Sequence, residues 1–230
     1  MFRDTINGLE KLLDVEIPQG SIILVAGAEG TLKSGLVFSM VSKYLAASGE
    51  HGLYLTLEQT KESHFKNMDS LGLKKSDVLH VFDYRDVRIE WKNCELDMIK
   101  TTEEIIDFYK DKYDNLTIFA LDSLNAIYSL SEEADLRKSM YYFFSRLREE
   151  GLTSFLITEM PRFRTHGQFN TYSRPECFLA DGIIELGIIE GKGSVKRYIQ
   201  ILKMRAAKHA MEKHQLTVDE EGLNILGLIY

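Results

Sequence analysis

The chain has 230 residues, 44% of them hydrophobic, and 28 Lys plus Arg against 35 Asp plus Glu give a formal charge of −7. A chain of this size buries roughly 70–75% of its unfolded surface, so a single domain over residues 1–230 is expected, and two cysteines, Cys94 and Cys177, exclude a disulfide framework or zinc cluster. No apolar run reaches the roughly 20 residues of a membrane helix, the start shows no secretory pattern, and the acidic balance excludes a surface built to coat nucleic acid. A cytoplasmic protein with no membrane partner is the expectation.

Ser21 to Gly27 (SIILVAG), a branched apolar run after Pro18-Gln19-Gly20, predicts a buried strand. The segment that follows, Gly27-Ala28-Glu29-Gly30-Thr31-Leu32-Lys33-Ser34, fills seven of the eight slots of the phosphate-binding pattern G-x-x-x-x-G-K-[ST]. In such a loop, running on through Gly35 into a helix, backbone N–H groups wrap a phosphate, the lysine contacts phosphate oxygens and the hydroxyl binds Mg²⁺. Leu32 stands where the pattern has its second glycine. If that slot needs φ > 0, leucine costs on the order of 1 kcal/mol and brings bulk towards the phosphates. An ordinary strand-to-helix turn with a solvated lysine is the plainer alternative.

A helix over Ser34 to Ala47 follows from apolar positions at helical spacing, then a strand over Gly52 to Leu57, a helix over Lys61 to Leu71 and a strand over Val78 to Tyr84. Glu58, just past the second strand, reads either as a carboxylate that polarises an attacking water or as an acid at a helix N-terminus. A long helix from Glu95 to Tyr113 precedes a strand over Leu116 to Leu121, and that strand ends in Asp122. If this strand lies beside the first one, Asp122 is delivered to the metal; otherwise it caps the next loop. A helix over Glu132 to Glu150 and a strand over Leu152 to Thr158 complete an alternation that predicts an α/β fold with a parallel sheet covered on both faces.

Pro161 to Glu176 carries almost no aliphatic residue and reads as a long loop. Its Arg162, Arg164 and Arg174, interleaved with Phe163, Phe169 and Tyr172, suit single-stranded nucleic acid; a partner-facing protein loop is favoured on the overall charge. Segments Gly182 to Glu190, Lys196 to Met204, Gln215 to Val218 and Leu223 to Leu228, joined by glycine-containing turns, predict antiparallel strands at the sheet edge. From Gly191 to His214 seven Lys or Arg face one acid, a local +6 that leaves −13 for the rest of the chain.

Taken together, these blocks resemble the RecA-type P-loop ATPases, and within them the single-domain archaeal and bacterial proteins related to KaiC. The resemblance rests on the phosphate loop, Thr56-Leu-Glu58-Gln59-Thr60, Asp122-Ser123, Thr158-Glu159, Leu179-Ala-Asp181-Gly-Ile-Ile-Glu185, and Ile201-Leu-Lys203-Met-Arg205 with His209. It implies a RecA-like P-loop fold, a mostly parallel sheet flanked by helices with antiparallel C-terminal strands. It implies ATP and Mg²⁺ as ligands, with Gly27 to Gly35 around the phosphates and Ser34 and Asp122 at the metal. Glu58 matches the first of a catalytic Glu-Glu pair whose second member here is Gln59. Lys203 and Arg205 match a pair that reaches a neighbouring subunit's γ-phosphate, which implies a homo-oligomer such as a hexamer and gives a reason for the basic segment. A slow ATPase acting as a switch is the implied activity, with a nucleotide-binding pseudo-ATPase scaffold or a recombinase paralogue as alternatives.

Overall fold

A computed structural model describes residues 1–83, 85–86, 98–130, 133–160, 175–191, 193–220 and 222–229. The strands are β1 (Ile22–Gly27), β2 (His51–Thr56), β3 (Leu79–Asp83), β4 (Leu116–Asp122), β5 (Thr153–Glu159), β6 (Gly182–Gly191), β7 (Ser194–Met204), β8 (His214–Asp219) and β9 (Gly222–Leu228). Helices are α1 (Lys33–Ser48), α2 (Lys61–Ser70), α3 (Met98–Lys112), α4 (Leu124–Leu130), α5 (Glu133–Glu149) and α6 (Pro175–Leu179), with short 3₁₀ turns at Phe2–Asp4 and Leu9–Lys11. Among the described residues, the nine strands form one sheet in the order β3-β2-β4-β5-β1-β6-β7-β8-β9. The four C-terminal strands extend it by antiparallel pairing.

Two expectations of pairing are corrected. Gly182 to Gly191 is not simply an antiparallel edge strand: β6 runs parallel to β1 and antiparallel to β7, so it is the last parallel strand and the first of the hairpin series. Nor does β4 neighbour β1, because β5 lies between them. A later segment thus enters the sheet between two earlier ones, a long-range choice that local pattern does not encode.

β1 is buried on both faces, and its alternation divides the core. Ile23 and Val25 join Leu36, Val37, Met40 and Val41 of α1 on one side; Ile22, Leu24 and Ala26 join Phe143, Phe144 and Leu147 of α5 on the other. The first seventeen residues close the α1 side: Phe2, Ile6, Leu9, Leu12, Leu13 and Ile17 are all buried. Phe2 stacks on Tyr44 of α1 with ring centroids 4.1 Å apart and meets Phe155 of β5 edge-on at 5.1 Å.

α2 begins at Thr60, whose hydroxyl accepts from Ser63 N at 3.2 Å, the expected cap for a helix start. α4, which pattern reading missed, is a seven-residue helix directly after β4. Most of the 161–176 loop lies outside the described residues; its last two positions, Pro175 and Glu176, open α6. Among the described residues no helix is long and apolar enough to cross a membrane.

Phe155 is fully buried under Phe2, whereas Phe108 on α3 is 54% exposed. Phe155→Ala is expected to lower unfolding stability by about 3–5 kcal/mol and Phe108→Ala by about 0.5 kcal/mol or less, as read from denaturant unfolding.

Candidate functional site

β1 must leave the sheet abruptly at Gly27. A Cβ there would lie 2.2 Å from the Leu186 carbonyl oxygen of β6 and 2.9 Å from Thr31 Oγ1, so the position accepts only glycine. The loop then folds on itself, with Thr31 Oγ1 donating to Ala28 O at 2.7 Å. Leu32 occupies the left-handed region at φ 74°, ψ 28°, while its carbonyl already accepts from Leu36 N at 2.9 Å. The slot therefore does need φ > 0. The leucine carries a left-handed cost of about 1–2 kcal/mol, offset in part because its side chain packs against the α1 face of the core.

The next residue, Lys33, is only 8% exposed. Its Nζ donates to Ala28 O at 3.0 Å and stands 3.9 Å from Glu159 Oε1 at the end of β5. Burial holds the ammonium below the usual lysine range, against the opposing pull of Glu159, Asp122, Glu58 and Glu29.

Asp122 is buried at the end of β4, where Tyr54 Oη donates to its Oδ2 at 3.0 Å and the Ser34 hydroxyl bonds it as well. α1 packs over β5 and β4 on its way to β2, which brings Ser34 to Asp122 although their strands are not neighbours. Desolvation raises the carboxyl above the ordinary range, with Ser34 and Tyr54 pulling it down, Glu58 adding to the rise and Lys33 pulling it down. The donor set of hydroxyl and carboxylate, oxygen only, fits Mg²⁺, which takes one or two protein oxygens and fills the rest of its shell with water and phosphate.

Glu58 accepts a hydrogen bond from the Ser123 hydroxyl, and Leu57 N donates to Asp122 O at 2.7 Å, so the ends of β2 and β4 are tied together. Gln59 turns elsewhere: its Oε1 accepts from Asn67 Nδ2 of α2 at 2.9 Å. These groups line a cleft of about 320 Å³ bounded by the phosphate loop, Glu58, Gln59, Asp122, Ser123 and Glu159. Its place, outside the carboxyl ends of parallel strands, is where open α/β sheets hold ligands.

Three contributors were given no site role by the sequence, although Glu159 stands in one of the blocks that carry the resemblance. Glu159 supplies the nearest carboxylate to Lys33, Tyr54 bonds Asp122 from inside the core, and Asn125 Oδ1 accepts from Glu159 N at 2.7 Å. An acid at the end of an apolar strand was the available signal for Glu159, the same signal that singled out Asp122. Nothing local marked Tyr54 or Asn125.

The basic segment is divided by the sheet. Arg197, near the hairpin end of β7, donates through Nε to Gly30 O of the phosphate loop at 3.0 Å. Lys203 and Arg205 lie at the other end of β7, about 20 Å away along the strand, where Lys203 pairs with Ile183 at the start of β6. Lys203 Nζ donates to Ala180 O at 2.6 Å and Cys177 O at 3.1 Å, and Arg205 bonds Asp181 Oδ1 and Phe178 O, both at 3.2 Å. Burial, reinforced by Arg205, lowers the Lys203 ammonium, with Asp181 opposing. Within one chain, Lys203 and Arg205 therefore do not join the cleft.

The family model for the KaiC ATPase matches residues 2–228. The circadian clock oscillator protein KaiC of Picosynechococcus sp. is 26% identical over 236 residues, covering 98% of this chain and 44% of its own. The circadian clock protein KaiC3 of Synechocystis sp. is 27% identical over 247 residues, covering 97% and 45%. The chain thus spans less than half the length of these curated relatives. A solved KaiC-like protein from the hyperthermophilic archaeon Pyrococcus horikoshii OT3 superposes with a TM-score of 0.78 at 26% identity, covering 96% of each chain.

The raised Asp122 carboxyl has a consequence for stability. Above the ordinary carboxylate pKa the folded chain binds more protons than the unfolded one, so stability falls as pH rises through the folded value. Asp122→Asn removes that cost while keeping the side chain's shape. Without nucleotide, the variant is expected to melt a few degrees above wild type at about pH 7, an advantage that shrinks towards about pH 4, as read from thermal unfolding across pH.

Proposed function

The chain belongs to the KaiC ATPase family, and on that premise we propose that it binds ATP with Mg²⁺ in the cleft between the phosphate loop and the ends of β2, β4 and β5. The convergence of Lys33, Ser34, Asp122 and Glu58 on that cleft, from three separate stretches of sequence, carries the reading. Backbone N–H groups of Gly27 to Gly35 would hold the β-phosphate at the start of α1. Lys33 would exchange Ala28 O for phosphate oxygens, a charge-assisted bond that favours a desolvated cation. Ser34 and Asp122 would hold the metal, which when bound neutralises phosphate charge.

Glu58 is the candidate to orient or deprotonate the attacking water, with Ser123 fixing its carboxylate. Gln59 cannot act as a base, and its amide oxygen is engaged by Asn67. Turnover is therefore proposed to be slow, suited to a switch that changes state once per bound nucleotide. The left-handed Leu32 supports a second reading in which nucleotide is held without turnover and the protein serves as a scaffold. Lys203 and Arg205 are proposed to serve a neighbouring chain's nucleotide in a homo-oligomer, since their own cleft lies at the far end of β7.

Calorimetric titration and phosphate release separate the two readings. Wild type is expected to bind Mg²⁺-ATP, Lys33→Ala to lose at least about tenfold in affinity, and Glu58→Gln to bind normally while turnover drops by about 10²–10⁴. Bound ATP with no turnover in either wild type or Glu58→Gln would leave the scaffold reading. Turnover that appears only with Leu32→Gly would do the same.

In light scattering, Mg²⁺-ATP is expected to increase the assembled mass of wild type and to fail with Lys203→Ala/Arg205→Ala. An unchanged mass in both would remove the proposed role of the pair between chains.

A further inference from the structure

A second cleft, of about 430 Å³, lies on the α1 face of the sheet and shares no residue with the first. One wall is the middle and end of α1; the other is the segment joining α2 to β3, and the turn between β8 and β9 closes one side with Glu220. Ser39 and Ser42, one helical turn apart on α1, stand in its wall. Each is only 2% exposed, and neither hydroxyl has a hydrogen-bond partner.

A buried hydroxyl without a partner costs on the order of 1–3 kcal/mol. A helical serine ordinarily escapes that cost by bonding a carbonyl one turn back. Two such serines on one helix face, both declining that bond beside the same cleft, point to a ligand.

The charge around them specifies its chemistry. Among the described lining residues, Lys43 extends from α1, and Lys74 and Lys75 from the opposite wall, with the carboxylate of Glu220 at one side. Lys75 is fixed there, with Nζ donating to Ser76 O at 2.9 Å and Leu79 O at 3.0 Å, which leaves one N–H for another acceptor. In a chain whose net charge is −7, a cleft with this surplus of ammonium groups is an exception. Two hydroxyls and three ammoniums are more donors than the two oxygens of a carboxylate need, and they suit the three terminal oxygens of a phosphate monoester. Leu73 and Ala46 line the remainder, and the volume exceeds that of the phosphate-loop cleft, so there is apolar room for the body that carries the phosphate.

We propose that this cleft is a second ligand site, separate from the phosphate loop, for a small organic phosphate monoester bound by Ser39, Ser42, Lys43, Lys74 and Lys75. The ligand would grip α1 one to three turns beyond Ser34, on the same rigid helix that opens with the phosphate loop. Occupancy of either end can then bias the other through the helix.

Phenyl phosphate and inorganic phosphate, titrated into the full chain and followed by backbone amide NMR, test the site. Phenyl phosphate is expected to shift the amides of Ser39, Ser42 and Lys74 saturably, about tenfold more tightly than inorganic phosphate. Lys43→Glu/Lys74→Glu is expected to weaken it at least about tenfold. Ser39→Ala/Ser42→Ala removes two hydroxyls that have no partner, so it should fold at least as stably as wild type, and lost binding in that variant reports the site rather than unfolding. Shifts confined to Gly27–Ser34, unchanged affinity in the serine variant, or equal affinity for the two probes would overturn the proposal. A phosphate loop that failed to bind ATP would leave each of these outcomes as it stands.

Discussion

The arrangement turns on a lysine ammonium held nearly out of water. Lys33 opens α1, so its backbone is fixed by the helix, and its side chain lies beneath the loop where solvent scarcely reaches. An isolated cation in that position would be expelled or would lose its proton. Four carboxylates prevent this, and each comes from a different place: Glu29 from the loop itself, Glu58 from beyond β2, Asp122 from β4 and Glu159 from β5. The strand order makes the gathering possible, because parallel strands release their carboxyl ends on one edge of the sheet. What looks like a cluster of acids around a base is thus a result of topology, and the topology is held by the two apolar faces of β1.

Much of this was legible in the residues. Apolar runs marked the parallel strands because burial on both faces demands unbroken hydrophobicity, as in Ile22–Gly27. The phosphate loop was legible through Lys33 and Ser34, and the left-handed conformation of Leu32 through the glycine that usually stands there. The blocks from Thr56 to Gln59 and from Lys203 to Arg205 carried the family resemblance, and the fold agrees with it.

The rest depended on contacts between distant segments. No local pattern says that β5 slips between β1 and β4, so Asp122 was expected on a neighbouring strand and instead meets Ser34 because α1 crosses over. Tyr54 read as one more apolar strand residue, yet its hydroxyl is the polar tip of a buried ring and finds the one carboxylate near it that burial most penalises. The first seventeen residues have no periodicity worth the name, and they cover α1 by irregular turns whose anchors, such as Phe2 on Tyr44, are contacts between segments distant in sequence. Charge counting found the basic segment but not its division, since a count along the chain cannot tell one end of a strand from the other.

That division governs symmetry. β7 sets Lys203 and Arg205 on the edge of the sheet opposite to the one that carries the phosphate loop, so in the proposed assembly the giving and the receiving surfaces would be different and would face away from each other. A two-fold axis pairs a surface with itself, and it cannot satisfy two unlike surfaces on opposite edges in both copies at once. Association through them would be heterologous: each copy would offer one edge forward and accept with the other, and the series would either close into a ring or continue as a filament. The angle between successive copies, set by how the Lys203 and Arg205 end of β7 meets the next phosphate loop, would decide between the two.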